Sequence, residues 1–192
     1  QPRSRLYWLT PRPAEAQRMS AEDYLRFEVT ADTKHEFVDG FVFAMAGAGD
    51  THNIIAGNIF ALLRAAARGT ACRAYVADMK LEVPGDVYYY PDVLLTCDEA
   101  DLGENIKRRP CLVAEVLSES TADVDRGEKL LNYRKLPSLR AYLLVSQTKA
   151  LLELYHQDEG GWRHDIIESG AFRLPCLGLE PTLEDVYEDT GL

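Results

Sequence analysis

Two acids stand where an acid is costly. Asp92 follows Pro91 in the run Tyr-Tyr-Tyr-Pro-Asp-Val-Leu-Leu, and Glu115 sits inside Leu-Val-Ala-Glu-Val-Leu. An ionised carboxylate embedded in a buried strand is expensive unless a cation or hydrogen bonds compensate it. At corresponding points of adjacent strands the two would converge on one edge of a sheet. That is the geometry of a divalent cation held by oxygen ligands, and Mg²⁺ commonly takes one or two carboxylates, completing its octahedron with waters and phosphate oxygens. The competing reading pairs each acid with a nearby Arg or Lys. A charged partner is in fact close in sequence: Asp125, Lys129 and Tyr133 recur at i,i+4 spacing, on one face of a helix expected to follow the Glu115 strand.

Other chemistries fit less well. Gly47-Ala-Gly49-Asp-Thr-His52 lies between a strand and a helix like a dinucleotide fingerprint. His52 takes the place of its third glycine, however, and the preceding strand belongs to a hairpin. Ser118 and Ser120 follow a strand without the G-x-S-x-G elbow of a serine hydrolase. His35, His52, His156 and His164 offer no i,i+4 pair and no H-E-x-x-H, which argues against a dedicated zinc site.

The elements that must position these residues are readable from spacing. Ser20-Ala-Glu-Asp23 caps a short helix reaching about Phe27. His35 to Met45 forms two strands around Asp39-Gly40, a strong hairpin turn. A helix starts at Asp50, with Ile55, Ile59, Leu62, Leu63 and Ala66 as its apolar face and Gly69 as its stop. Three strand-like runs follow, at 72–83, 87–96 and 111–117, the first two joined by a tight turn at Pro84-Gly85-Asp86. Ser120-Thr-Ala-Asp123 opens the helix that carries Lys129 and ends before Pro137. Strands at 140–146, 151–156 and 162–167 and a short helix near 183–187 complete the order, which makes one α/β domain over 19–192. Residues 1–18, rich in proline and arginine and without periodicity, read as a poorly ordered extension.

The 192 residues are 46% hydrophobic and 27% charged, the balance of a globular chain with one core. No apolar run approaches the roughly 18 residues of a membrane span, so no membrane partner is expected. The net charge of −10 disfavours a coat for nucleic acid in bulk, although 64–80 carries four bases against one acid and 125–140 five against two. Cys72, Cys97, Cys111 and Cys176 are widely spaced with no C-x-x-C pair. That argues against a disulfide framework and fits a reducing cytoplasm.

Taken together, Glu36-Phe-Val-Asp-Gly40, His52 opening a helix, Tyr90-Pro-Asp92-Val, Val113-Ala-Glu115-Val-Leu-Ser118-x-Ser120-Thr, Asp125-x-x-x-Lys129-x-x-x-Tyr133 and Ala141-Tyr-Leu-Leu-Val145 resemble the Uma2 family. These bacterial proteins are grouped with the PD-(D/E)xK nucleases, and the resemblance spans about Met19 to Tyr187. It implies an α/β fold with a mixed sheet: a restriction-endonuclease-like α-β-β-β-α-β core preceded by a helix and a β-hairpin. It further implies a Mg²⁺-dependent (or Mn²⁺-dependent) endonuclease acting on DNA. Asp92 and Glu115 would bind the metal with the carbonyl of Val116, and Glu36 would be an accessory acid. His52, Ser118 and Tyr133 would support the site, and two copies would pair as a homodimer. The nuclease pattern places its lysine two residues after the glutamate, where this chain has Leu117. The resemblance therefore points to Lys129, with Lys80 as its competitor. Two other classes remain open: a catalytically silent nucleic-acid or protein-binding module, and a nucleotide enzyme using the Gly47–His52 loop.

Overall fold

Local chemistry sets each element. In the computed structural model, which describes residues 18–192, Ser20 caps helix α1 (Ala21–Thr30) by accepting the Asp23 amide at 3.1 Å. The helix runs three residues beyond Phe27. Strands β1 (His35–Val38) and β2 (Phe41–Ala44) pair antiparallel around Asp39 and Gly40, whose φ values of 52° and 86° are those a two-residue hairpin turn requires. Helix α2 (Asp50–Ala66) buries Ile55, Ile59 and Leu63, three residues of its anticipated stripe. The expectation of an N-terminal extension falls almost wholly outside the described residues.

The strand runs at 72–83 and 87–96 each break in two, which corrects the expectation of single strands. They become β3 (Arg73–Val76) and β4 (Lys80–Val83), then β5 (Val87–Tyr89) and β6 (Val93–Thr96). Ala77 and Asp78 take left-handed φ values of 47° and 48°, and Pro91 interrupts the second run, having no amide to donate. The Ala77 amide donates to the Asp92 carbonyl at 3.0 Å, so both strands turn one corner together. Beyond it lie β7 (Ile106–Lys107), which has no counterpart in the expectation, and β8 (Pro110–Leu117), β9 (Ala141–Ser146), β10 (Leu152–Asp158) and β11 (Gly161–Ile167).

The corner divides the strands between two sheets, of order β2-β1-β5-β4-β7 and β11-β10-β9-β8-β6-β3. In the six-stranded sheet β8 and β9 run parallel, and such a pair needs a crossover. A helix over 122–133 supplies it, with a π-helical turn at Asp125–Lys129 in its middle. This site helix buries Tyr133 against Val113, Tyr142 and Leu144 on one side and Leu81 and Tyr89 of the smaller sheet on the other. The opposite face of the larger sheet is covered by α2 and by a C-terminal segment that includes Phe172, Leu174 and the helix Leu183–Val186. Among the described residues no helix is long and apolar enough to cross a membrane.

The cysteines are not free thiols, contrary to the sequence expectation. Antiparallel pairing of Arg73 with Thr96 sets the flanking Cys72 and Cys97 opposite each other, and they form a disulfide. Cys111 on β8 is bonded to Cys176 of the C-terminal segment, 65 residues away. Spacing in sequence missed both pairs because register and tertiary packing create them. With both pairs bonded, the cysteines give no sign of a reducing compartment. On the chain-entropy relation, closing a loop of 65 residues stabilises the fold by about 4 kcal/mol. A Cys111→Ser/Cys176→Ser variant should lose about that much in denaturant unfolding under non-reducing conditions, and an unchanged midpoint would show that the bond does not form.

Candidate active site at the corner of the two sheets

Register brings the two acids together. Val93 of β6 pairs with Ala114 of β8, so Asp92, one step before β6, falls opposite Glu115. The Asp92 amide points at Glu115 Oε2, at 3.4 Å. Asp92 Oδ2 accepts the Val116 amide at 2.7 Å, and its Oδ1 lies 3.0 Å from His52 Nε2. Val116 thus touches Asp92 through its amide. His52, on the first turn of α2, fixes the other carboxylate oxygen. Ser118 stands at the cavity lip, bonded to the hydroxyls of Ser120 and Thr121 and to neither acid.

The site helix supplies the counter-charge. Lys129 Nζ lies 3.1 Å from Glu115 Oε1, 2.9 Å from Glu36 Oε1 and 3.3 Å from Asp125 Oδ1. The Tyr133 hydroxyl donates to Glu115 Oε1 at 2.8 Å. Asp125, Lys129 and Tyr133 do share one face, and the π turn between the first two sets their relative height on the wall. Such turns recur at functional positions in helices. Glu36 comes from β1 of the other sheet, so both sheets contribute to the corner. Lys80 lies elsewhere, its ammonium 4.7 Å from the Tyr24 ring centre and 5.5 Å from that of Tyr90. Of the two candidate lysines, only Lys129 reaches the acids.

Electrostatics inside the corner are unbalanced. Glu115, Asp125 and Lys129 are all buried, with exposures of 4%, 2% and 5%. Burial pushes the Glu115 carboxyl well above the usual range, Lys129 opposes the rise, and Asp92, Asp125 and Glu36 reinforce it. Burial alone would depress the Lys129 ammonium, yet Glu115, Glu36 and Asp125 outweigh it and hold its pKa well above that of a free lysine. The two shifts differ in their main cause, burial at Glu115 and the neighbouring carboxylates at Lys129, in a corner that holds more carboxylate than one ammonium can offset. Among the described residues Asp125 Oδ1 finds no hydrogen-bond partner, and the ion pair with Lys129 compensates it.

These groups line a cavity of about 470 Å³ whose other wall is the hairpin end and the loop over 43–49. Asp125 was visible from its spacing but not as a member of the site, and the loop wall was read only for its glycines. The donor set suits a hard divalent cation: it is all oxygen, carries surplus negative charge and includes one buried oxygen without a hydrogen bond. Among the described residues no three His, Cys, Asp or Glu side chains form a ready-made cage. An open site built on two carboxylates does not require one.

Known proteins resemble this chain over most of its length. The family model described as "Uma2: Putative restriction endonuclease" matches residues 21–186. Two uncharacterized proteins of Synechocystis sp. (strain ATCC 27184 / PCC 6803 / Kazusa) are similar along most of their length. One, slr1290, is 36% identical over 174 residues, which cover 88% of this chain and 92% of the relative. The other, sll1609, is 34% identical over 143 residues, covering 72% and 81%. A solved structure titled as a putative nuclease belonging to DUF820, from Anabaena variabilis ATCC 29413, superposes with a TM-score of 0.74 at 14% identity, over 88% of this chain and 97% of its own. That likeness shows the fold, which is restriction-endonuclease-like. With the family model covering nearly all of the described residues, the chain belongs to the Uma2 family.

Proposed function

We propose that this protein is a metal-dependent nuclease that hydrolyses phosphodiester bonds in DNA. The observation that carries the reading is the convergence of Asp92 and Glu115, from register-paired positions, on a cavity that also holds Lys129. The family description, and the description of the structural neighbour as a nuclease, support it. Asp92 and Glu115 would hold Mg²⁺ or Mn²⁺, with Glu36 and the Val116 carbonyl as further oxygen donors. When bound, the cation polarises the scissile phosphate and lowers the pKa of its water.

The chain's own residues do the rest. His52 and the Val116 amide fix the two oxygens of Asp92, and Tyr133 fixes Glu115. Ser118 and its neighbouring hydroxyls rim the mouth. Lys129 is held protonated by its carboxylates, so it serves as a charge and not as a base. Its ammonium would stabilise the negative charge that builds on the phosphate oxygens. A water oxygen forms the new bond to phosphorus as the bond to the 3′ oxygen breaks, leaving a 5′-phosphate and a 3′-hydroxyl.

Asp92→Asn keeps an acceptor for the Val116 amide but removes the charge. It should lower cleavage by at least about a hundredfold and abolish Mn²⁺ binding in calorimetric titration. Cleavage at the wild-type rate would overturn the mechanism. Metal binding without hydrolysis of any polynucleotide by the wild type would favour the silent binding module.

A further inference from the structure

The wall facing the carboxylates is unusual for an exposed segment. Residues 43–49 read Phe-Ala-Met-Ala-Gly-Ala-Gly, seven residues without one polar side chain, and all but Met45 are exposed. Surface loops ordinarily carry polar turn residues, and an exposed apolar stretch usually meets something. Phe43 is 52% exposed on β2, across from Glu36 in register, and it lines the cavity. The cavity therefore has two chemically opposite walls. One is made of carboxylates that could hold a cation and a phosphate. The other is apolar and ends in an open aromatic face.

We infer that the apolar wall is a nucleobase subsite, and that the preferred substrate is single-stranded nucleic acid. The inference rests on the nuclease reading for its phosphate side only. Three physical arguments carry it. First, the faces of bases in a duplex are covered by their stacked neighbours, so a base can lie on Phe43 only when it has left the stack. Second, a cavity of about 470 Å³ is the size of a small-molecule site, which suits a nucleotide or two better than a helix. Third, the cavity lining carries four acids, Glu36, Asp92, Glu115 and Asp125, against the single lysine Lys129. Backbone phosphates gain little there from the protein itself, so stacking must contribute much of the affinity. The basic residues Arg64, Arg68 and Arg73 cannot make up the difference at the site, because Arg73 pairs with Thr96 at the end of β6 remote from Asp92. Extracting a base from a duplex costs a few kcal/mol, which makes single strands the better ligand.

The test uses fluorescently labelled 20-mers: single-stranded DNA, the same sequence as RNA, and the blunt DNA duplex. Binding is followed by anisotropy without divalent metal in the cleavage-impaired Asp92→Asn background, with and without Phe43→Ala or Phe43→Trp. Phe43 is exposed, so neither change should disturb folding. The expected result is single-strand binding on the order of tenfold tighter than duplex binding. Phe43→Ala should remove most of that preference and Phe43→Trp should keep it. Equal or tighter binding of the duplex, or no effect of Phe43→Ala, would overturn the inference. Cleavage by the wild type is scored separately. Phe43-dependent single-strand binding without hydrolysis would sustain the subsite and sink the nuclease reading, whereas duplex cleavage insensitive to Phe43 would do the reverse. The RNA arm shows which sugar the site accepts.

Discussion

Lys129→Met should destabilise the protein by about 3–5 kcal/mol, the usual cost of removing one partner from a buried ion pair. For a chain of this size that is a fall in Tm of roughly 10 °C. The methionine fills most of the lysine's volume, so the loss is electrostatic. Glu115, Glu36 and Asp125 all approach the ammonium within 3.3 Å, and without it they remain as acids in a largely buried corner. The pH dependence separates this from a packing defect. The folded-state pKa of Glu115 is already raised above its unfolded value by burial, so the folded protein binds more protons than the unfolded one in that window. Stability must then fall as pH rises through it. Lys129 is the group that limits the rise; removing it widens the window upward. The variant should therefore lie nearer to wild type at pH 5 than at pH 8. A constant difference across that range would mean that Lys129 acts through packing. Its own raised pKa acts elsewhere: the stability it adds is fully present below the ordinary lysine value and is lost only above it, outside the range measured.

Much of this corner could be read from residue order. Asp92 and Glu115 stood out because acids rarely interrupt runs such as Tyr-Tyr-Tyr-Pro and Leu-Val-Ala, and they would meet at corresponding points of adjacent strands, a register the structure supplies. The i,i+4 spacing of Asp125, Lys129 and Tyr133 gave a helix face, which tertiary packing then set against Glu115. The Asp39-Gly40 turn and the α2 stripe were equally plain, since both follow from local backbone and periodicity. What could not be read has a common cause. Strands over 72–83 and 87–96 look continuous because both sides of the corner are apolar, and pattern does not record a change of sheet. The convergence of Glu36 on Lys129 spans 93 positions and two sheets, so only the family resemblance brought that residue forward. The disulfides depend on register at Thr96 and on the docking of a C-terminal segment with weak periodicity. The apolar character of 43–49 was present in the sequence, but its meaning appears only when the carboxylates are seen across the cavity.

The same surplus of charge leads to the second large effect, in which activity and stability move in opposite directions. Glu115→Gln should abolish detectable hydrolysis and Mn²⁺ binding, yet raise the Tm of the metal-free protein near neutral pH. Glutamine can still accept from Tyr133 and Lys129 through its amide oxygen, so the hydrogen bonds at 2.8 and 3.1 Å survive. What disappears is the carboxylate whose burial is least favourable, the one pushed well above its ordinary pKa. The gain should be largest above the folded pKa of Glu115 and vanish near pH 4, where the wild-type carboxyl is protonated in both folded and unfolded chains. A saturating cation should reverse the order. Ligand at a hundred times its Kd stabilises by about 2.7 kcal/mol, and only the wild type would receive that contribution. Thermal melts of both proteins with EDTA and with Mn²⁺ contain the whole test. Curves that cross in rank between the two conditions are expected from a corner shaped for a missing positive charge. A variant less stable than wild type in EDTA would show instead that the Glu115–Lys129 pair is a structural bond, with Lys129 already supplying all the charge the corner requires.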